Sequence, residues 1–277
     1  RSRPIAFMAE GPTVRYNAER FHLALAGKKI RKAFWRSRQI AITPGDVVGR
    51  VVDRVDFAGK NHLFFVRDLG AFRVHFMMYG SSQVASPKDP LRKPESRVRF
   101  LLEVRGARVV VFSAPVVQFY AQGAALPFLD SLGPDALKTP FDAAEFERRL
   151  AASPQATVAQ ALLDPSVVAG VGNIWKSEIL WDVRVHPATP PAMLSPDERR
   201  RIVARTPAIL LAAYDRMRRG ERSKLAAYRR SRQPCPRCAT PILGRHVGGR
   251  GTFWCPRCQE APGAAPEALN GETAVSA

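Results

Sequence analysis

Apolar positions in residues 12–26 recur at helical spacing. Val14, Ala18, Phe21, Leu23 and Leu25 form a stripe that Gly27 ends, which predicts a leading helix. From about residue 29 to residue 120 the texture changes to short runs of β-branched and aromatic residues. The runs at 47–52, 63–66, 72–76, 98–102 and 109–112 are predicted strands, with Asp68, Gly70, Arg105 and Gly106 in the turns between them. Short strands at this spacing predict an antiparallel sandwich or barrel. Residues 81–96 are polar and proline-bearing and are expected to form a loop. Helical spacing returns near residue 140, with helices predicted over 141–150, 157–163, 167–169, 174–183 and 196–219. Asp164-Pro165 supplies an N-cap followed by proline at the first helical position. The stretch 261–277, rich in Ala, Pro, Gly and Glu and without periodicity, reads as a disordered tail. No internal repeat interrupts this order.

Composition narrows the class. A chain of 277 residues with 46 % hydrophobic residues can bury a sizeable core and holds two or three modest domains. Its formal net charge of +19 calls for a polyanionic partner, either nucleic acid or an anionic membrane surface. The membrane option loses ground because no run of about 18 apolar residues exists. The opening Arg1-Ser2-Arg3-Pro4-Ile5-Ala6-Phe7 is basic but lacks the apolar stretch of a secretory signal. A cytoplasmic protein with no membrane partner is expected.

The four cysteines fall in two close pairs, Cys235-Pro236-Arg237-Cys238 and Cys255-Pro256-Arg257-Cys258. Two such knuckles present four thiolates to one tetrahedral zinc ion, and a closed four-sulfur shell leaves no place for water. The expected metal is therefore structural. A redox role would need only one pair. Residues 243–254 between the knuckles read as a hairpin carrying Arg245, His246 and Arg250, which a zinc site could press onto phosphates. His246 is not needed as a ligand.

A second motif is Gly170-Val171-Gly172-Asn173, placed between two helical patterns. The glycines permit tight turns, Asn173 is the expected cap of the next helix, and free N–H groups at that helix start would bind a phosphate. Taken alone, the motif also fits an ordinary corner between helices.

Together with three shorter segments, these motifs give the chain a family likeness. From Met8 to about Gln259 it resembles the formamidopyrimidine-DNA glycosylase and endonuclease VIII family. Met8-Ala9-Glu10-Gly11-Pro12 resembles the family's opening Met-Pro-Glu-Gly-Pro, and Gly59-Lys60 its Gly-Lys on an early strand. The segment His75-Phe76-Met77-Met78-Tyr79-Gly80 resembles its base-stack wedge loop. The segment from Ala169 to Glu178 resembles its helix–two-turns–helix element, and the paired knuckles with Arg250-Gly251-Thr252-Phe253-Trp254 its finger. The opening, the wedge and residues 128–135 are closer to the endonuclease VIII branch.

The resemblance implies an α+β multidomain fold. An extension (1–7) precedes a catalytic β-sandwich domain with a leading helix (8–125). A helical helix–two-turns–helix DNA-binding domain (126–225), a four-cysteine zinc finger (226–260) and the tail follow. It implies a monomer that binds double-stranded damaged DNA in the cytoplasm, associated with the nucleoid, and flips the damaged nucleotide out of the helix. Met77, Met78 and Tyr79 would fill the gap, although core packing on a strand is the competing reading for either methionine. Lys60, Asn173, Lys176 and Arg250 would grip DNA, chiefly its phosphates. The nucleophile would be the amino-terminal amine, here of Ala9, attacking the sugar C1′ to give a Schiff base, with Glu10 moving protons at the sugar. Oxidised pyrimidines are the expected lesions.

Two features depart from the family pattern. Alanine stands where the family has proline, and seven residues precede Met8. The expectation is that translation begins at Met8 and that the small Ala9 permits methionine removal. Lys60 is the substitute nucleophile if Ala9 is not terminal. A lyase-deficient or inactive damaged-DNA-binding module is the alternative function. A zinc-ribbon transcription or translation factor would explain the finger and the charge, but not Glu10, Gly59-Lys60 or the Gly-Asn turn.

Overall fold

Alternation of buried and exposed positions in the first half of the chain builds two antiparallel sheets. The structure, a computed structural model, describes residues 9–37 and 40–261. The extension, Met8 and residues 262–277 of the expected tail lie outside the described residues. The chain divides into two compact units, one holding Ala9 and Thr13–Asp130, the other Glu10–Pro12 and the residues from Ser131 onward.

The first unit contains most of α1 (Gly11–Leu25), then β1 (Ile30–Trp35), a short α2 (Pro44–Val47), β2 (Val52–Ala58), β3 (Asn61–Val66), β4 (Gly70–His75) and β5 (Ser81–Ala85). It continues with β6 (Val98–Val104), β7 (Ala107–Phe112), β8 (Val116–Ala121) and a short α3 (Pro127–Asp130). One sheet has the order β1-β6-β7-β5 and the other β2-β3-β4-β8, with every pairing antiparallel. Their facing side chains and α1 share one core that includes Phe21, Phe64, Phe72, Phe100 and Val111. The rings of Phe64, Phe100 and Phe72 succeed one another at 4.9 and 5.3 Å between centroids. Truncating any one of them to alanine should cost about 3–5 kcal/mol.

Three expectations fail here for local reasons. Leu23 does not join the helix stripe and is exposed, because two residues along a helix turn about 200° and place it opposite the buried Phe21 and Leu25. Residues 47–52 are not one strand. Pro44 and the reciprocal Thr43–Asp46 capping box start a short helix that ends at Val47, and β2 begins only at Val52. Residues 81–96 are not all loop, since Ser81–Ala85 pairs with β7 as an edge strand whose polar side chains hid it.

The second unit is helical and ends in the finger. Its main elements are α4 (Ala143–Ala151), α5 (Val158–Leu163), α6 (Asn173–Val183) and α7 (Pro196–Arg218), followed by the hairpin β9 (Leu243–Val247) and β10 (Arg250–Trp254). Ser195 and Glu198 close a capping box at the start of α7, with Pro196 at its first position. The expected helix at 167–169 is absent. Asp164 ends α5 instead of starting a new helix, and its carboxylate accepts from the Ser166 N–H and hydroxyl. Val167, Val168 and Ala169 are buried in the turn that follows. No described helix is long and apolar enough to cross a membrane.

Candidate active site and zinc centre

Glu10 is only 3 % exposed. Its Oε1 accepts the Ile174 N–H at 2.9 Å and its Oε2 accepts the Trp175 N–H at 3.4 Å. A helix start carries unpaired donors and the positive end of the macrodipole, so it attracts an anion. The chain supplies that anion itself. The expected phosphate site on free N–H groups at the start of α6 is therefore corrected, since the Glu10 carboxylate already occupies it. The two glycines of the motif make room for this arrangement. A Cβ on Gly172 would lie 2.3 Å from Glu10 Cδ. The Gly170 carbonyl accepts the Gly11 N–H at 2.9 Å, and a Cβ on Gly11 would lie 2.6 Å from that oxygen.

Asn173 does not cap α6. The cap position is Gly172, in extended conformation and with no side-chain bond, and Asn173 is the first helical residue. Its side chain instead bridges α6 and the finger. Asn173 Nδ2 donates to the Gly251 carbonyl of β10 at 2.9 Å, while Oδ1 accepts from Lys176 Nζ at 2.8 Å. Lys176 is fully buried and also donates to Thr252 Oγ1 at 2.7 Å. The expectation that Lys176 touches DNA is thus corrected, because its ammonium faces protein acceptors and not solvent. Burial pulls its pKa from 10.5 down to about 7. The Glu10 carboxylate opposes that fall, and the Arg250 guanidinium adds to it. Arg250 itself is exposed at the start of β10.

The Sγ atoms of Cys235, Cys238, Cys255 and Cys258 all lie within 4.8 Å of one another, with Cys238 3.4 Å from both Cys255 and Cys258. Zinc–sulfur bonds of about 2.3 Å imply S···S edges of about 3.8 Å, so the set fits one four-thiolate ion. His246 lies on β9, outside this cluster. Several bonds tie the knuckles to α6 and to Val185 just after it. Trp181 Nε1 donates to Cys235 Sγ at 3.4 Å, and the Arg237 guanidinium stacks 4.1 Å from the centre of the Trp181 ring and donates to the Trp181 carbonyl. The buried Gln259 accepts the Cys255 N–H and donates to the Val185 carbonyl, both at 2.9 Å. Glu178 accepts the Ala226, Ala227 and Tyr228 N–H groups at 2.7–2.9 Å, fixing the segment that leads into the finger. Desolvation raises its pKa against those three bonds.

In the first unit, Gly59 adopts a left-handed φ of 56° in the turn between β2 and β3, and the half-buried Lys60 completes that turn. Met77, Met78 and Tyr79 form a turn after β4 and are 52, 61 and 74 % exposed, which excludes the core-packing reading. Met77 holds a φ of 49°, and its N–H donates to His75 Nδ1 at 3.0 Å. Burial, then the charges of Lys60 and Arg73, lower the His75 pKa to about 4, which keeps that nitrogen an acceptor. Ala9 packs against the core of this unit. His75, Thr252, Glu178 and Gln259 were not singled out from the sequence. His75 and Glu178 stood inside recognised motifs, so proximity to a motif was the available signal. The same signal held for Thr252, and for Gln259 there was none.

Three family models match in order along the chain. Residues 8–115 match the formamidopyrimidine-DNA glycosylase N-terminal domain, residues 132–224 the formamidopyrimidine-DNA glycosylase H2TH domain, and residues 232–261 the zinc finger found in FPG and IleRS. The chain belongs to the formamidopyrimidine-DNA glycosylase/endonuclease VIII family. Relatives lie on the endonuclease VIII side of the family and on its glycosylase side. "Probable endonuclease 8 2" of Streptomyces coelicolor is 32 % identical over 273 residues, covering 95 % of this chain and 98 % of its own. The "DNA-(apurinic or apyrimidinic site) lyase Nei2" of Mycolicibacterium smegmatis is 32 % identical over 260 residues, covering 92 % and 100 %. Among solved structures, MutM in complex with DNA containing carbocyclic 8-oxo-G superposes with a TM-score of 0.79 at 23 % identity, over 91 % of this chain and 99 % of that one. At that identity it speaks for the fold of the family. The zinc-ribbon factor reading falls with this membership, and the four-cysteine cluster takes the family's structural zinc.

Proposed function

We propose that this family member is a base-excision-repair DNA glycosylase with abasic-site lyase activity, acting on damaged duplex DNA. The observation that carries the proposal is the seat of Glu10. An acid is fixed by two backbone N–H groups on the residue next to Ala9, so any sugar attacked by the Ala9 amine meets a carboxylate held in one place. An α-amine has a pKa near 8, against about 10.4 for lysine, and is partly neutral at pH 7. As the first residue of a processed chain, Ala9 attacks C1′ through its nitrogen lone pair. The glycosidic C1′–N bond breaks, and the base leaves with a proton. Deprotonation of nitrogen lets its lone pair expel O4′: the C1′–O4′ bond breaks, O4′ takes a proton, and the ring-opened imine that results labilises a C2′ proton. Loss of that proton breaks the C3′–O bond and releases the 3′ strand as a phosphate. Water then hydrolyses the imine and frees the amine. Glu10 moves the protons of these steps.

The exposed Met77, Met78 and Tyr79 fill the space left by the flipped nucleotide, and Lys60, Asn173 and Arg250 hold flanking phosphates. Oxidised pyrimidines are the proposed lesions. The protein works as a monomer, in the cytoplasm and on the nucleoid. The zinc ion serves only to hold the hairpin.

Borohydride trapping on a duplex with one abasic site tests the proposal, using protein that begins at Ala9 beside protein in which residues precede it. A covalent adduct from the Ala9 form alone is expected. Adducts from both forms would move the nucleophile to a lysine, with Lys60 first to be replaced. No adduct from either would overturn the lyase activity and leave a monofunctional glycosylase or a damage-binding module.

A further inference from the structure

The first helical turn of α6 and strand β10 are joined by a closed circuit of hydrogen bonds through one buried cation. Lys176 Nζ donates to Asn173 Oδ1 at 2.8 Å and to Thr252 Oγ1 at 2.7 Å. The Thr252 hydroxyl donates in turn to the Arg250 carbonyl at 2.9 Å, and Asn173 Nδ2 donates to the Gly251 carbonyl at 2.9 Å. Asn173 and Lys176 are one helical turn apart, which brings their side chains to the same face.

This circuit settles which way the Asn173 amide points. A side-chain amide can turn either its oxygen or its nitrogen toward a neighbour. With an ammonium on one side and a carbonyl on the other, the oxygen must face Lys176 and the nitrogen must face Gly251. One amide hydrogen is used on Gly251. The second has no partner among the described residues, on a residue that is only half-buried. The exposed guanidinium of Arg250 sits on the residue preceding Gly251, in the electrostatic field of Lys176. The pairing therefore leaves an amide donor on Asn173 and a guanidinium on Arg250, a set whose strongest acceptor is an anion.

We propose that Lys176 is the positioning residue of a phosphate grip formed by Asn173 and Arg250: it locks the Asn173 amide donor-outward and couples the start of α6 to the finger hairpin, without touching the phosphate. The proposal rests on the DNA-binding part of the function given above. Two properties of Lys176 look like those of an amine nucleophile, its lowered pKa and its nearness to Glu10. Its complete burial and its two acceptors assign it to support instead.

The test is a double-mutant cycle read by equilibrium binding to a duplex carrying a tetrahydrofuran abasic analogue, which cannot form an imine. Wild type, Lys176→Met, Asn173→Ala and the double variant are compared across a salt series. Lys176→Met should weaken binding about tenfold in the wild-type background, the scale of one charge-assisted hydrogen bond, and less than about twofold when Asn173 is already alanine. The slope of log K against log salt should be unchanged by Lys176→Met, whereas Arg250→Ala should make it shallower by about 0.9. Equal losses in both backgrounds would overturn the proposal in favour of a general packing role. A slope loss of about 0.9 on Lys176→Met would overturn it in favour of direct phosphate contact. Should Lys176→Met lose zinc or fail to fold, Thr252→Val removes one anchor of the ammonium and must show the same non-additivity with Asn173→Ala. A wild type that does not prefer the abasic analogue over intact duplex would defeat the repair reading itself, which the mutant cycle does not touch.

Discussion

A carboxylate that gives both oxygens to backbone N–H groups has little freedom left, and Glu10 is such a group. Glu10→Gln keeps the shape but turns an amide NH2 toward one of those donors. Base release and strand cleavage should fall by about 10²- to 10⁴-fold, the range of a lost general acid–base, while affinity for an abasic-analogue duplex stays within a few fold. Single-turnover assays on a damaged duplex beside binding titrations check this, and a parallel loss of binding would count against a proton-transfer role. Gly172→Ala should reproduce the kinetic loss, since its Cβ would meet Glu10 Cδ at 2.3 Å. Glu10 was identifiable in the sequence as a type of residue beside a motif. Its capping role was not, because the amides it satisfies begin 164 positions away. The same blindness explains the misassigned phosphate site: an anion does sit at that helix start, but it is internal. Lys176 was misplaced for a related reason. Spacing puts it on one face of α6, and only the packing of β10 shows that this face is covered.

At the level of elements, the finger hairpin is held by its metal cluster at one end and by α6 along its length. Removing zinc with a chelator should leave β9–β10 without its anchor and expose Trp254, which is buried. Expected results are one zinc per chain by elemental analysis and, after chelation, a shift in tryptophan fluorescence. Binding should also weaken at least tenfold with a shallower salt slope, as the Arg250 contact is lost. An unchanged slope would show that the hairpin does not reach phosphate. The hairpin and the knuckles were readable because cysteine spacing is a rigid geometric demand. Strands β1, β2, β5 and β8 were not, because each carries several polar or partly exposed positions and so lacks clean alternation. The capping box at Thr43 and Asp46 overrode a valine-rich run in the same way, local hydrogen bonding outweighing strand propensity.

On the scale of the whole molecule, acid sensitivity follows from its neutral histidines. Burial lowers His62 to about 3, and His75 and His186 to about 4, all from 6.5. The unfolded chain therefore binds more protons than the folded one below pH 6.5. Stability is full above that pH and is lost as pH falls toward 4. Thermal melts at pH 7.5 and 4.5 should show this fall. His62→Phe should narrow the gap by several degrees, because His62 sits between the rings of Phe21 and Phe76 and a phenyl ring takes up no proton there. An equal gap in wild type and variant would remove His62 from the account. The division of the chain has a temporal consequence as well. Glu10–Pro12 group with residues from Ser131 onward, and Glu10 has no seat until Ile174 and Trp175 exist. At about 5–20 residues per second, a ribosome needs roughly 8–30 s to travel that distance. During that interval the segment around Ala9 lacks the bonds that seat Glu10 in the folded protein, and it gains them only when the turn at Gly170 and Gly172 and the start of α6 emerge.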